Sequence, residues 1–451
     1  MPDIASGRGA GGSREAALAT LGAWRGGEGG KRPEDLLREA SQVFGLDRRD
    51  RALALELAYG VIRNLTHLDY ILSFYIKTGP QGLSEPLRDV LRLAVYQIKY
   101  LDKVPERAAV NEAVEQAKLL GGPKAGGFAN GILRTLLREP GRVTYPAGEA
   151  GLSIVNSYPS WLVARWVARL GNDGAEALMK AGNGHPPVTL RANTLLTTRD
   201  RLLELLLADG VEAAPGRYAP DSINVRGRGV AELPGFADGL FAVQDEAAQL
   251  VSMMLAPMPG WTVLDACAAP GGKSAHISAL SGGLARVIAM DIGLDKLRLM
   301  KENISRLRLG NVYPVMGDAS YPPVKGPVDA VLIDAPCTAL GVIRRRPEIK
   351  YNRTGADLSR LAWMQRGLLD AVSGLVRPGG VMVYAVCSTE PDEGEDVVSA
   401  FLTDNKGFVA EDAGKYLPVA AHCFVNEEGF MRSYPHLHGT DGFFAARLIK
   451  K

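Results

Sequence analysis

A chain of 451 residues exceeds what one hydrophobic core holds, so two or three domains are expected. Its 46% hydrophobic and 23% charged residues exclude a disordered or fibrous protein. A formal net charge of +2 excludes a wholly basic exterior, leaving a local patch for any nucleic acid, and four cysteines are too few for a disulfide scaffold.

Residues 1–13 are glycine-rich without the apolar run of a signal peptide, and read as a disordered tail. No uncharged stretch reaches the ~18 residues that span a bilayer, so a cytoplasmic protein that avoids membranes is expected. Residues 14–140 read as all-helical. Leu53, Leu57, Val61 and Leu65 recur every four residues, and Ala113, Val114, Ala117 and Leu120 mark a second apolar stripe. Gly121-Gly122-Pro123 interrupts the helices, and Pro140-Gly141 opens a linker. Residues 151–240 mix a helix bearing Trp161 and Trp166 with the run Thr189-Leu-Arg-Ala-Asn193 and a helical 202–207, which predicts a small α+β connector.

In the remainder, 241–451, the period changes beyond Gly260. Short apolar runs at 263–267, 287–290, 328–333 and 381–386 alternate with helical stretches at 294–307 and 357–375. Such runs predict buried parallel strands and a doubly wound, Rossmann-like α/β domain whose ligand lies at the carboxyl ends of the strands.

The first strand ends in Asp265-Ala-Cys-Ala-Ala-Pro-Gly-Gly-Lys-Ser274. Adjacent glycines let the backbone approach a ligand, and the following helix N-terminus favours an anionic group. Asp291, ending the second strand, stands where such a fold holds ribose hydroxyls, and Asp318 is available to an adenine amine. The glycine spacings of dinucleotide and triphosphate loops are absent.

Asp334-Ala-Pro-Cys337 and Tyr384-Ala-Val-Cys-Ser-Thr389 each put a cysteine just past a strand. Neighbouring strands lie ~4.8 Å apart, so both thiols should face one crevice beside the cofactor. Carbon 5 of cytosine attacks a methyl sulfonium poorly until a thiolate adds to carbon 6, a step that suits cysteine. Protonated Asp334 is the candidate to neutralise charge at N3, and the second thiol the candidate for release. Spacing leaves open which cysteine attacks. Cys267 and Cys423 read as small buried apolar residues.

At these residues the chain resembles the Sun-type RNA cytosine-5 methyltransferases over nearly its whole length. The matching pieces are Cys267-Ala268-Ala269-Pro270-Gly271-Gly272-Lys273, Asp334-Ala-Pro-Cys337, Arg344-Arg345-Arg346-Pro-Glu-Ile-Lys350, Cys387-Ser388 and Asp441-Gly-Phe-Phe444. The resemblance implies S-adenosyl-L-methionine as methyl donor, held by residues 267–273 with Asp291, Asp318 and Asp334. It also implies Cys387 as nucleophile and Cys337 as the residue assisting release. Val386, and Thr338-Ala339-Leu340, depart from the family's usual Thr and Ser-Gly-Thr.

Residues 109–118 and 128–133 resemble the NusB-type RNA-binding domain, a fusion that implies a small-subunit ribosomal RNA enzyme. The family's target there is one cytosine of 16S RNA, position 967. Pro159-Ser-Trp161 and Leu190-Arg-Ala-Asn193 match the family's RNA-facing connector. Arg344, Arg345, Arg346 and Lys350, with Arg353, are expected to contact phosphate, and Tyr351 to stack on a base. His422, Cys423, His436 and His438 fit no zinc spacing, so no metal is expected. The expected partner is ribosomal RNA bound by a monomer, with no DNA. The alternatives are another RNA cytosine as target, or an RNA-binding assembly factor without catalysis.

Overall fold

The computed structural model describes residues 12–27 and 31–451. The expected tail lies outside the described residues as far as residue 11, while Gly12 and Ser13 already belong to a helix. The chain forms two compact units, the first running to Asn183 and including Lys350–Asn352, the second comprising Gly184–Ile349 and Arg353–Lys451.

The first unit is helical: α1 (Gly12–Arg25), α2 (Pro33–Val43), α3 (Arg48–Arg63), α4 (Leu65–Ser73), α5 (Glu85–Tyr100), α6 (Glu106–Arg138), α7 (Gly148–Asn156) and α8 (Ser160–Asn183). Asp47 starts α3 by accepting from the Asp50 amide at 2.8 Å, which satisfies a donor the first turn would otherwise orphan. Gly121 and Gly122 break α6, the latter at a φ of +70°. Leu57, Val61, Ala113 and Ala117 of the predicted stripes pack one core with Val90, Leu91, Val95 and Leu133, whereas Leu120 is exposed.

Residues 151–183, the start of the expected connector, form helices α7 and α8, which group with the first unit. The cause is a buried apolar face: Trp166, Leu162 and Val163 are shielded, and the Trp166 ring meets Tyr158 at 5.4 Å.

The second unit carries two sheets. The smaller is antiparallel, ordered β2-β3-β1-β4, from β1 (Val188–Ala192), β2 (Glu212–Pro215), β3 (Ser222–Arg226) and β4 (Phe241–Val243). Helix α9 (Arg199–Ala208) adds Leu202 and Leu206 to a core with Leu190, Ile223 and Phe241.

The larger sheet is ordered β10-β12-β9-β8-β5-β6-β7, with β11 (Met431–Arg432) paired to β12. Its parallel part is β5 (Thr262–Asp265), β6 (Arg286–Asp291), β7 (Val312–Met316), β8 (Val328–Asp334) and β9 (Val376–Val386). Strands β10 (Phe408–Glu411) and β12 (Phe444–Lys450) extend it in antiparallel fashion. Alternate strand residues bury on opposite faces: Val263, Ala330, Leu332 and Val383 on one, Leu264, Val331, Ile333 and Tyr384 on the other. The first face is covered by α10 (Glu246–Leu255), α11 (Gly272–Leu280) and α12 (Leu294–Arg306), the second by α14 (Gly355–Ser373) and α15 (Glu395–Asp404). The short α13 (Ile349–Asn352) precedes α14. Both faces being covered explains why these strands are continuously apolar. The order reverses at β5, between β6 and β8, which opens a crevice at their carboxyl ends. Among the described residues no helix is long and apolar enough to cross a membrane.

Candidate active site

Strand β5 delivers residues 266–271 to that crevice. The Ala266 amide donates to Leu332 O (2.9 Å) and the Ala268 amide to Met290 O (2.8 Å), so the loop is tied to both neighbouring strands. Gly271 turns at a φ of +98°, and a β-carbon there would stand 3.0 Å from Met300 Cγ. Only glycine accepts both conditions without strain. At Gly272, which opens α11, a β-carbon would meet no atom within 4 Å.

Asp291 is buried at the end of β6, and its carboxylate accepts from the amides of Ala269 (3.1 Å) and Ile292 (2.9 Å), with Lys296 Nζ at 3.3 Å. Asp318 is exposed and accepts from its own turn at Ser320 N, 2.8 Å. Beneath the loop, burial pushes the Asp265 carboxyl up to about 7, against the Ser274 hydroxyl that donates to it at 2.6 Å. A helix N-terminus beside a seated carboxylate is a donor set that suits an adenosyl ligand with ribose hydroxyls and a carboxylate tail.

The two strand-end thiols do share one crevice. Asp334 registers with Ala385, the Ala335 amide donates to Ala385 O (2.9 Å), and the Gly341 amide donates to Cys387 O (3.0 Å). Cys337 Sγ and Cys387 Sγ are thereby 3.3 Å apart. The hydrogen bond to Cys387, then burial, then the nearby charges of Cys387 and Glu393 push the Cys337 thiol well up. These influences favour the thiol form of Cys337 over its thiolate.

Asp334, expected to neutralise charge at N3, has its Oδ2 beside Lys273 Nζ as an ion pair. Burial opposes the charge on Lys273, but Asp334 outweighs it and raises the amine's pKa. Lys273 also lies 5.2 Å over the Phe443 ring.

The basic cluster is corrected. Arg344, 6% exposed, donates to Asp441 Oδ1 (2.6 Å), Gly439 O (2.7 Å) and Asp245 Oδ2 (3.1 Å). Arg345 donates to Asp441 Oδ2 (2.6 Å), Asp245 Oδ2 (2.9 Å) and Pro187 O (3.1 Å). Burial, then the neighbouring Asp441, raises the Asp245 carboxyl to about 6 even against both arginines. Lys350, 1% exposed, belongs to the first unit, where it donates to Arg63 O (2.6 Å) and Asn183 Oδ1 (3.0 Å), and burial holds its amine well below the usual range. Tyr351 is not exposed for stacking either: its hydroxyl meets Ser157 Oγ at 3.0 Å. Arg346 alone of the four candidates keeps a largely accessible side chain, paired with Glu348 at 3.0 Å. A run of basic residues reads as a phosphate-contacting patch because the carboxylate partners of Arg344 and Arg345, Asp245 and Asp441, lie far away in sequence. Cys423 is exposed, contrary to expectation, while Cys267 is partly buried with its thiol pushed up by burial.

Sequence reasoning missed Glu393. It stands in the turn Pro391–Glu393 and is completely buried. Its carboxylate accepts from the Thr338 amide (2.8 Å), the Thr338 hydroxyl and Gln365 Nε2 (3.0 Å). The only signal was an acidic run, Glu390-Pro-Asp-Glu-Gly-Glu395, that reads as surface.

Comparison with known proteins follows this geometry. Residues 252–449 match the family described as 16S rRNA methyltransferase RsmB/F, residues 12–138 the NusB family, and residues 158–230 a ferredoxin-like domain of RsmF/B-like methyltransferases. The probable ribosomal RNA small subunit methyltransferase B of Bacillus subtilis (strain 168) is 37% identical, the alignment covering 92% of this chain and 94% of that protein. The crystal structure of PH0851 superposes with a TM-score of 0.80 at 27% identity, over 97% of this chain and 98% of the other. NSun6 from Pyrococcus horikoshii, crystallised with SFG, gives a TM-score of 0.59 at 25% identity, over 66% of this chain and 99% of the other.

Proposed function

The chain belongs to the ribosomal RNA small subunit methyltransferase B family, a family of S-adenosylmethionine-dependent rRNA methyltransferases, and on that premise we propose that it methylates carbon 5 of one cytosine of 16S RNA through a covalent cysteine adduct. By resemblance that cytosine is position 967. The observation that carries the reading is the pair of sulfurs 3.3 Å apart at the ends of β8 and β9, beside the loop 266–271.

S-adenosylmethionine, when bound by residues 267–273 with Asp291, Asp318 and Asp334, supplies a methyl group activated by its sulfonium. The protein's own residues do the rest. The Cys387 thiolate adds to carbon 6 of a cytosine turned out of its stack, forming a carbon–sulfur bond and making carbon 5 nucleophilic. Charge arriving near N3 is met by the Lys273–Asp334 pair. Once the Cys387 sulfur is a neutral thioether, it no longer presents the charge and the acceptor that kept the proton on Cys337. With carbon 5 carrying the methyl group, Cys337 then releases its own proton to solvent, and its thiolate takes the proton from carbon 5. The carbon–sulfur bond breaks, and the Cys387 thiolate leaves 5-methylcytosine behind. The helical unit and the four-stranded sheet are assigned to RNA binding, and the enzyme to the cytoplasm as a monomer.

Purified protein incubated with deproteinised small-subunit RNA and methyl-labelled S-adenosylmethionine should yield 5-methylcytosine at one position by mass mapping. Cys387→Ala should abolish transfer, and Cys337→Ala should accumulate a protein–RNA adduct stable in denaturing gels. Adduct formation by Cys387→Ala would reverse the assignment of the two thiols.

A further inference from the structure

The two loops that carry the thiols are joined by a buried polar lattice that the reaction does not itself use. Thr338, Gln365, Tyr384, Ser388 and Glu393 are all fully buried. The Glu393 carboxylate, on the loop leaving β9, reaches across to the loop leaving β8 and accepts both Thr338 donors. Thr338 Oγ1 also lies 3.3 Å from Ser388 Oγ, next to Cys387. On the other flank, Gln365 Nε2 donates to Pro336 O as well as to Glu393, both at 3.0 Å. The Tyr384 hydroxyl completes the lattice, donating to Gln365 Oε1 (3.1 Å) and Glu393 O (2.6 Å). The residues on both sides of Cys337 are therefore fixed, one through Gln365 and one through Glu393.

Burying a carboxylate is costly, and a packed apolar side chain of similar volume would stabilise the turn as well or better. What the carboxylate adds is register: it sets one strand-end loop against the other.

We infer that Glu393 is a positioning residue that holds Cys337, through Thr338, within reach of the carbon 5 proton of the adduct formed on Cys387. The inference rests on the release role of Cys337 given above and adds the group that makes it geometrically possible. Displacing a reacting group by about 1 Å costs on the order of a hundredfold in rate, so loosening this clasp should tell on release and spare addition. The Glu393 charge also raises the Cys337 thiol, alongside larger contributions from Cys387 and burial.

The test uses the full chain, small-subunit RNA and S-adenosylmethionine in single turnover, following adduct formation and adduct decay separately. Glu393→Gln and Thr338→Val should each form adduct within about threefold of the unaltered rate and resolve it at least about tenfold more slowly. Thr338→Ser, which keeps the hydroxyl, should resolve it normally. With the Glu393 charge removed, the pH profile of decay in Glu393→Gln should also move to lower pH, which a merely structural role would not produce. Decay at the unaltered rate in both variants overturns the inference, as does equal loss of formation and decay. If Glu393→Gln fails to fold, Thr338→Val decides alone. Normal decay in Cys337→Ala would instead show that the release role has failed, and the inference falls with it.

Discussion

Asp265 carries a titration that belongs to the protein rather than to the reaction. Its carboxyl is pushed from the ordinary 3.8 up to about 7 by burial under the cofactor loop. Between those values the folded chain holds a proton that the unfolded chain has released, so this group's contribution to stability is lost as pH rises from about 4 to 7. Asp265→Asn is neutral throughout and can still accept from Ser274. The stability of the variant relative to the unaltered protein should therefore rise steadily between pH 5 and pH 7, measured as urea midpoints at fixed temperature. A constant difference would mean that Asp265 is ionised in both states. The cysteines show how residue-scale legibility divides: strand-end positions were readable because a strand's period and end are local properties. The raised Cys337 thiol, the salt link from Lys273 to Asp334 and the burial of Asp265 depend on neighbours that no spacing announces.

Between elements, the least legible feature is the ion network joining the segment after Cys337 to the start of α10 and the loop before β12. Asp245 accepts from the Ala247 amide at the N-terminus of α10, while Asp441 donates its own amide to Asp245 Oδ1 at 3.1 Å. Arg344 and Arg345 bridge both carboxylates. Close packing surrounds it: a β-carbon on Gly341 would stand 2.0 Å from Gly442 O, so that contact excludes any side chain. Removing Asp441 takes one of the three acceptors given above from each arginine, a loss of at most about 3–5 kcal/mol. Asp441→Ala should lower the urea midpoint accordingly, with Asp441→Asn intermediate because its amide oxygen still accepts. A midpoint change within error for Asp441→Ala would mean that Asp245 alone satisfies both arginines. The parallel strands β5, β6, β8 and β9 were legible from apolar runs and flanking helices. The antiparallel extension was not, because β12 pairs with β9 across a chain separation that periodicity does not encode.

Across the whole molecule, a net charge of +2 leaves little general attraction for RNA, so affinity depends on which basic side chains reach solvent. Sequence alone put four of them in one run. Burial removes Arg344 and Lys350 from that role, and ion pairing engages Arg345, leaving Arg346 with 44% side-chain exposure. For single-stranded RNA each phosphate contact adds roughly 0.7 to the slope of log affinity against log salt. Arg346→Ala should therefore reduce the slope by at most about that amount, with some loss of stability as well, because its partner Glu348 is buried and loses its ion pair. Arg344→Ala should instead lower the unfolding midpoint while the slope measured on the folded fraction holds. Filter binding of small-subunit RNA across a salt series, paired with urea unfolding of the same preparations, separates these outcomes. A slope reduced by Arg344→Ala but not by Arg346→Ala would mean that the network opens to meet RNA, and that the buried arginines reach phosphate only in the complex.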